Sequence, residues 1–294
     1  MKRSRAAGSI HFSRVGLVAK VIAPEAIALT VSLEKALKRR GIEVVFERDT
    51  AAALGRRDGV RRDRIARDAD LVLVLGGDGT LLSVAREAPA ATRILGVNVG
   101  VMGFLAGLSR EEALPRLGEV LSGQFREERR RRLEVRVCEG PAIRTMRALN
   151  DAVLSKEAIA RISTFSIAIG GRPISQFRAD GVIVSTPTGS TAYNLSAGGP
   201  ILHPALRAMV VTPICPHTLS QRPLVVPAST SIDLRVVDSG TPEGVHLTLD
   251  GQAGFAIPTG SCVQVVESPS PVTLLRPPES DHFHNLSEKL NWGV

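Results

Sequence analysis

Leu71-Val72-Leu73-Val74-Leu75-Gly76-Gly77-Asp78-Gly79-Thr80-Leu81-Leu82 decides how the first half of this chain folds. Five apolar residues without polar alternation predict a strand buried on both faces, the usual state of a parallel sheet. Glycines then fill three of four positions, and the apolar-rich run Leu81 to Ala88 predicts a helix that Thr80 can cap. Strand, glycine turn and helix is the layout that brings backbone N–H groups and a helix N-terminus up to a phosphate.

Two familiar phosphate motifs are absent. No lysine follows the glycines, as a Walker loop requires, and the third glycine of a dinucleotide fingerprint would stand where Leu82 is. An acid, Asp78, occupies the middle of the turn instead. A carboxylate about 4 Å from a phosphate charge is repelled by roughly 4 kcal/mol at an effective dielectric of 20. The turn is therefore a poor passive cradle, and it makes sense if Asp78 faces a metal cation or accepts the proton of a hydroxyl. A tight turn with a solvated Asp is the plain alternative.

Outward from this stretch, Val15–Ala19 reads as a first strand, and Pro24–Arg40 as a helix closed by Gly41. Ile42–Phe46 is a second strand, and Arg56–Asp70, with alternating charge, a surface segment. Arg93–Val97 is a fourth strand, ending in the flexible turn Asn98–Gly103 at the same sheet edge. Ser109 and Glu112 form a capping-box pattern before Leu114, Leu117 and Leu121. Strands alternating with helices imply a parallel α/β domain with ligands at the strand C-termini.

Past Arg126 the pattern changes to short strands and turns: Leu133–Val137, Ile143–Leu149, Ser163–Ile169, Pro173–Phe177, Val182–Ser185, Met209–Thr212, Ser231–Val237, Val245–Leu249 and Val263–Glu267. Gly170-Gly171 marks a hairpin. Strands without intervening helices imply an all-β domain. The expected organisation is a disordered 1–13, an α/β domain over 14–126, an all-β domain over 127–276, and a tail with a short helix over 277–294.

Composition narrows the function. A chain of 294 residues is long enough for two domains that bury about three quarters of the unfolded surface. It carries no long apolar span, which argues against a membrane partner. The apolar part after Lys2, Arg3 and Arg5 is too short for a secretory signal. Three scattered cysteines argue against a disulfide framework or a zinc ribbon, and point to the cytoplasm. A net charge of +8 suggests anionic partners. Aromatic residues at 3% are too few for stacking on bases, which argues against nucleic acid. The basic run Arg129–Arg132, preceded by Glu127 and Glu128, reads as a solvated linker face. A nucleotide or dinucleotide suits the charge better.

One segment of the β half stands apart: Asp180-Gly181-Val182-Ile183-Val184-Ser185-Thr186-Pro187-Thr188-Gly189-Ser190-Thr191-Ala192-Tyr193-Asn194-Leu195-Ser196-Ala197-Gly198-Gly199-Pro200. Such composition usually makes a flexible linker. Here it lies between apolar runs and holds the chain's single tyrosine. Small residues let a ligand approach the backbone, and hydroxyls offer uncharged donors and acceptors, a lining that suits a ribose and an adenine or amide. Other residues carry plainer readings: Asn150-Asp151 a turn, Asp250-Gly251 a hairpin, His282 and His284 surface residues, His203 and His217 structural, Cys215 a buried thiol.

Gly76-Gly77-Asp78-Gly79-Thr80, Leu149-Asn150-Asp151, Asp180-Gly181 leading into Thr186-Pro187-Thr188-Gly189-Ser190-Thr191-Ala192-Tyr193, and Asp250-Gly251-Gln252 together resemble the bacterial NAD kinases. The similarity runs from about Val15 to Leu290-Asn291-Trp292-Gly293. The first motif is shared with lipid kinases; the long Thr-Pro-Thr-Gly-Ser-Thr-Ala-Tyr segment is far more specific. The resemblance implies a Rossmann- or phosphofructokinase-like α/β domain plus an all-β domain, the NAD kinase/diacylglycerol kinase-like fold. It implies transfer of the ATP γ-phosphoryl group to the 2′-hydroxyl of the adenosine ribose of NAD, with a divalent metal, Mg²⁺, held through the ATP phosphates.

By the family pattern Asp78 is the catalytic base, and Gly76, Gly77, Gly79 and Thr80 form the phosphate loop. Asp78 and Gly79, Asn150 with Asp151, Arg161, Arg178, Asp180, the turn Thr191, Ala192, Tyr193, Asn194, Leu195 and Ser196, and Gln252 contact NAD. Asp151 stands where the family often has Glu, which shortens the arm and keeps the charge. A homo-oligomer, dimer or tetramer, is also implied. Two other functions share features of this sequence: a lipid kinase, through the Gly-Gly-Asp-Gly turn, and a non-catalytic dinucleotide sensor or nucleic-acid binder, through the basic charge.

Overall fold

The structure, a computed structural model, describes residues 12–100, 103–139, 142–156, 162–240 and 245–292. In chain order it begins β1 Arg14–Ala19, α1 Pro24–Lys38, β2 Glu43–Phe46, α2 Arg48–Ala53, α3 Arg62–Asp68, β3 Leu71–Gly76, α4 Asp78–Ala85 and β4 Arg93–Asn98. β5 Leu108–Ser109, α5 Arg110–Ala113, α6 Leu117–Leu121 and β6 Arg126–Arg130 follow. The β-rich stretch contains β7 Leu133–Glu139, β8 Ala142–Ala148, β9 Asp151–Ser155, β10 Ser163–Ile169, β11 Arg172–Ala179, β12 Gly181–Ser185, a 3₁₀ turn Gly189–Thr191, α7 Tyr193–Ser196, β13 Ala208–Ile214, β14 Leu224–Pro227, β15 Ile232–Asp238, β16 Val245–Leu249, β17 Ala253–Ile257 and β18 Cys262–Glu267. The chain closes with β19 Val272–Arg276 and α8 His282–Leu290.

Two compact units result, one made of the residues up to Arg129 and those from Val272 onward, the other of Arg130–Pro271. The first is built on one sheet in the order β2-β1-β3-β4-β19-β6, with β5 beside β4. The pairings β1–β2, β1–β3, β3–β4, β4–β5 and β4–β19 are parallel. Every residue of β3 is buried, the outcome its apolar run requires. Val272–Arg276, which the sequence reading left with the all-β domain, is a strand of this first sheet.

The second unit has two six-stranded antiparallel sheets, β11-β10-β15-β18-β7-β8 and β14-β13-β12-β9-β16-β17. Alternate residues of both sheets, among them Val135, Phe165, Val182, Val211, Leu247 and Val263, share one buried cluster, the arrangement of a sandwich. Gly170 and Gly171, with φ of 58° and 74°, make the hairpin between β10 and β11.

Several readings change. Residues 1–11 of the expected disordered segment lie outside the described residues, but Phe12 is buried in the first unit's core. Ser13 donates from its N–H and its hydroxyl to Asp70 Oδ2 at 2.9 and 2.8 Å. The charged segment Arg56–Asp70 holds a helix, α3, that buries Ile65 and Ala66. The capping box at Ser109 and Glu112 is present, but it opens a single turn, α5, and a second helix, α6, follows. The arginine run is only partly a solvated face: Arg129 is exposed and Arg131 half-buried. Arg130, the last residue of β6, and Arg132, just before β7, are buried. Cys215 is exposed, in a left-handed turn with φ of 45° at the end of β13.

Candidate functional site

In the first unit the glycine turn places Asp78 at the start of α4. The helix cap is Gly77, so Thr80 does not cap; it lies in the first turn and donates its N–H to the Gly77 carbonyl at 3.1 Å. An acid in the first turn is favoured by the helix dipole, so the local sequence supports the site. A Cβ at Gly76 would lie 2.7 Å from Thr80 Oγ1, so glycine lets the turn close on itself. Around Gly77 there is open space, and Gly79 is exposed.

The Asp78 carboxylate is clasped by the chain that follows β4. Oδ2 accepts the Phe104 N–H at 2.8 Å and Oδ1 the Leu105 N–H at 3.1 Å. Gly103 lies against it so closely that a Cβ there would fall 2.0 Å from Oδ1. The clasp is itself tied down. Arg276, buried at the end of β19, donates to the Phe104 carbonyl at 2.8 Å and to the Ala106 carbonyl. Gly103 and Arg276 are the residues that sequence reading missed. Gly103 had a signal, since it ends the Asn98–Gly103 turn at the same sheet edge; Arg276 had none.

In the second unit a buried carboxylate organises the dinucleotide candidates. Asp250 has φ of 53°, a costly conformation outside glycine, and Gly251 beside it has 64°. The Asp250 carboxylate accepts N–H groups from Leu149, Asn150 and Asp151 at 3.1, 2.7 and 3.3 Å. Thr186 donates its N–H to the Asn150 carbonyl at 2.8 Å and its hydroxyl to the Leu149 carbonyl at 2.6 Å. A Cβ at Gly189 would lie 2.2 Å from the Asn150 carbonyl oxygen. Residues 149–151, 185–189 and 250 therefore converge on one place.

Two groups there stand out. Asn150 Oδ1 is buried without a hydrogen-bond partner, a cost that a bound donor would remove. The buried Asp151 carboxyl is pushed up to about 7, first by burial and then by the charge of Asp250.

The Gly/Ser/Thr-rich segment is no linker. Thr186, Ser190 and Asn194 are buried. Asn194 donates to the Ser190 and Pro200 carbonyls, both at 3.0 Å, and accepts the Thr212 hydroxyl at 2.6 Å. Its side chain is occupied in shaping the turn. Thr191, Ala192 and Leu195 are half-buried, while Tyr193 and Ser196 are exposed. Arg178 and Gln252 are exposed, and Asp180 pairs with Lys156 at 2.9 Å. Arg161 lies outside the described residues.

Comparison with known proteins places these residues in a wider group. Residues 15–125 match the ATP-NAD kinase N-terminal domain and residues 149–276 the ATP-NAD kinase C-terminal domain. The NAD kinase of Geotalea daltonii is 41% identical over 282 residues, covering 95% of this chain and 99% of that protein. The NAD kinase of Aromatoleum aromaticum is 38% identical over 291 residues, covering 97% and 96%. Among solved structures, yeast NADH kinase complexed with NADH superposes with a TM-score of 0.90 at 26% identity, covering 98% of this chain and 89% of that one. An NAD kinase from Archaeoglobus fulgidus in complex with ATP superposes at 0.76 and 25% identity, covering 95% and 98%.

Proposed function

The chain belongs to the NAD kinase family, and on that footing we propose that Asp78 is the general base as the γ-phosphoryl group of ATP passes to the adenosine 2′-hydroxyl of NAD. In that step the O–H bond of the hydroxyl breaks and its proton goes to the carboxylate. The new P–O bond forms as the bond to ADP breaks, giving NADP and ADP. The relatives and solved structures named above are NAD or NADH kinases, and none of these speaks for a lipid kinase or a sensor.

The observation that carries the reading is the clasp on Asp78. Each carboxylate oxygen accepts one backbone N–H, which fixes its direction and leaves a lone pair for a substrate hydroxyl. Phosphoryl transfer asks a protein mainly for position and charge neutralisation, and an acceptor already oriented avoids the entropy of finding the hydroxyl. Gly76, Gly77, Gly79 and Thr80 offer backbone to the phosphates.

On this reading the metal enters with the substrate. Among the described residues no three His, Cys, Asp or Glu side chains converge to hold an ion. Mg²⁺ would then be held by ATP phosphates and water, where it neutralises triphosphate charge.

For the dinucleotide, Asn150 Oδ1 would accept from adenine or amide N–H, with Asp151 beside it. Thr191, Ala192, Tyr193, Leu195 and Ser196 would line the ligand, and Asn194 would act through the shape of the turn. Arg161, Arg178, Asp180 and Gln252 complete the set. Three free thiols suit the cytoplasm. The edge strand β14, with Leu224 and Val225 exposed, would serve a homo-oligomer of two or four chains.

The test is an assay of purified protein with Mg²⁺, ATP and NAD, reading NADP with a coupled dehydrogenase. Asp78→Asn should keep the wild-type melting temperature and lose turnover by about 100-fold or more. Near-normal turnover in that variant would remove Asp78 from the role of base.

A further inference from the structure

The glycine loop ends without a lysine, yet a transferring phosphoryl group needs a cation. Among the described residues, Arg276, Lys20 and Lys289 lie close to the glycine turn or to the segment that clasps Asp78. Arg276 is buried and committed to the Phe104 and Ala106 carbonyls, with Glu128 at 3.6 Å. Lys20 is exposed, and its Cβ is 3.3 Å from where a Cβ on Gly76 would stand. Lys289 comes from α8, and its Nζ lies 5.2 Å from the ring centroid of Phe104, the residue whose N–H holds Asp78.

α8 is built to hold that lysine in place. Asp281 caps its start by accepting the His284 N–H at 2.9 Å, Leu286 is buried, and Asn291 ends it in a left-handed conformation.

We infer that Lys289 is a second catalytic residue, whose ammonium contacts the γ-phosphoryl group as it passes to the hydroxyl held at Asp78. The inference rests on the function proposed above. A cation over Phe104, whose N–H holds the carboxylate, offsets the repulsion that Asp78 alone would present to phosphate, and it leaves Asp78 to accept the proton. Burial pushes the Lys289 pKa down, opposed by Asp78 from α4 and by Glu288 on its own helix, while Arg276 from β19 adds to the lowering. A lysine so placed gives up its charge at a lower pH than an exposed one.

Lys289→Gln, Lys289→Arg and Lys20→Ala should be compared with wild type at saturating NAD, with NAD affinity measured separately by calorimetry. Lys289→Gln should lower kcat/KM for ATP by about 100-fold while leaving NAD affinity unchanged. Lys289→Arg should recover much of it. Wild-type kcat should fall on the alkaline side below the ordinary lysine range, and Lys289→Arg should move that fall beyond reach, because arginine stays charged. The Arg comparison decides the matter even if the Gln variant folds poorly. Lys289→Gln at wild-type rate, the loss falling on Lys20→Ala instead, or an alkaline fall unmoved in Lys289→Arg would overturn the role of Lys289. Wild type that makes no NADP would overturn the proposed function as well.

The outer face of the second unit carries an independent site. β7 and β18 run antiparallel with Cys138 directly opposite Cys262. Val137 and Val263, one step along each strand, are buried, so both half-exposed thiols point to the other face. Opposed residues in such a pair have Cα atoms roughly 4.5–5.5 Å apart, inside the range of roughly 4.4–6.8 Å that a disulfide spans.

We propose that Cys138 and Cys262 are a reversible oxidation site for a small disulfide such as oxidised glutathione. One thiolate attacks the oxidant's S–S bond and expels one reduced thiol; the second cysteine then attacks the mixed disulfide and expels the other. The protein loses two protons and two electrons, and the oxidant gains them. Treatment of the intact chain followed by non-reducing peptide mass spectrometry should find the two cysteines joined. Cys262→Ser should show a glutathione adduct on Cys138 instead. An adduct on exposed Cys215 with no link between 138 and 262 would overturn it.

Discussion

Gly103 takes its identity from a residue 25 positions away. Its missing side chain is the space in which Asp78 Oδ1 sits, since a Cβ there would come within 2.0 Å. Gly103→Ala should push the carboxylate off the Phe104 and Leu105 N–H groups. We expect turnover to drop roughly 10- to 100-fold, with melting within about 3 °C of wild type, because a misplaced catalytic group costs rate more than stability. Steady-state kinetics beside calorimetry checks this; unchanged turnover would show the clasp to be incidental. Asp78 was legible in the sequence because an acid in a glycine turn is chemically odd. Its clasp was not, because pairing with Phe104 and Leu105 is a tertiary choice with no local mark. Asp151 allows a second test at this scale. Its folded pKa, about 7, stands above the ordinary 3.8, so the folded state holds a proton the unfolded state has released. Stability from this group is therefore greatest at low pH and declines as pH rises from about 4 to about 7. Asp151→Asn should flatten that decline, and raise the melting temperature at pH 8 by about 5 °C relative to wild type. Parallel pH–melting curves for the two proteins would contradict the assignment.

Elements show where a local reading holds and where packing overrules it. β3 was legible because an unbroken apolar run has one stable home, and Gly170-Gly171 because two glycines between strands leave few other turns. Charge alone does not place the arginine run. Arg132 is 1% exposed, and its guanidinium donates to the Ser270 carbonyl at 2.9 Å and the Ser270 hydroxyl at 3.0 Å. It joins the start of β7 to the segment after β18. Arg132→Met keeps the aliphatic length and loses those bonds, so it should destabilise the second unit by about 2 kcal/mol. A lower urea midpoint with an unchanged slope would report that cost. An unchanged midpoint would show that those bonds contribute nothing net to stability. The Asp250 turn teaches the same lesson from the other side. Asp-Gly between apolar strands is a good hairpin signal, and a hairpin is present between β16 and β17. That its carboxylate also fixes Leu149, Asn150 and Asp151, a hundred residues upstream, follows only from the folded sheet.

The path of the whole chain makes the strongest demand. The chain leaves the first unit after Arg129 and returns at Val272, where β19 lies between β4 and β6. β19 was illegible because its three apolar residues, Val272, Leu274 and Leu275 around Thr273, look like one more short β strand. Its consequences are large. Leu275 belongs to the first unit's core, and Arg276 ties the segment that clasps Asp78. A fragment ending at Arg129 would lack a strand from inside its sheet, leaving β4 and β6 with open edges. It should fail to fold. The second unit differs, because every residue of its core cluster lies between Leu133 and Val265. A fragment 130–271 should therefore give a β-type circular dichroism spectrum and unfold in urea in one cooperative step. Joining 1–129 to 272–294 through a short glycine-serine linker should restore a folded first unit without the second. Cooperative unfolding of 1–129 alone would mean that β19 is an addition to a finished sheet rather than part of it.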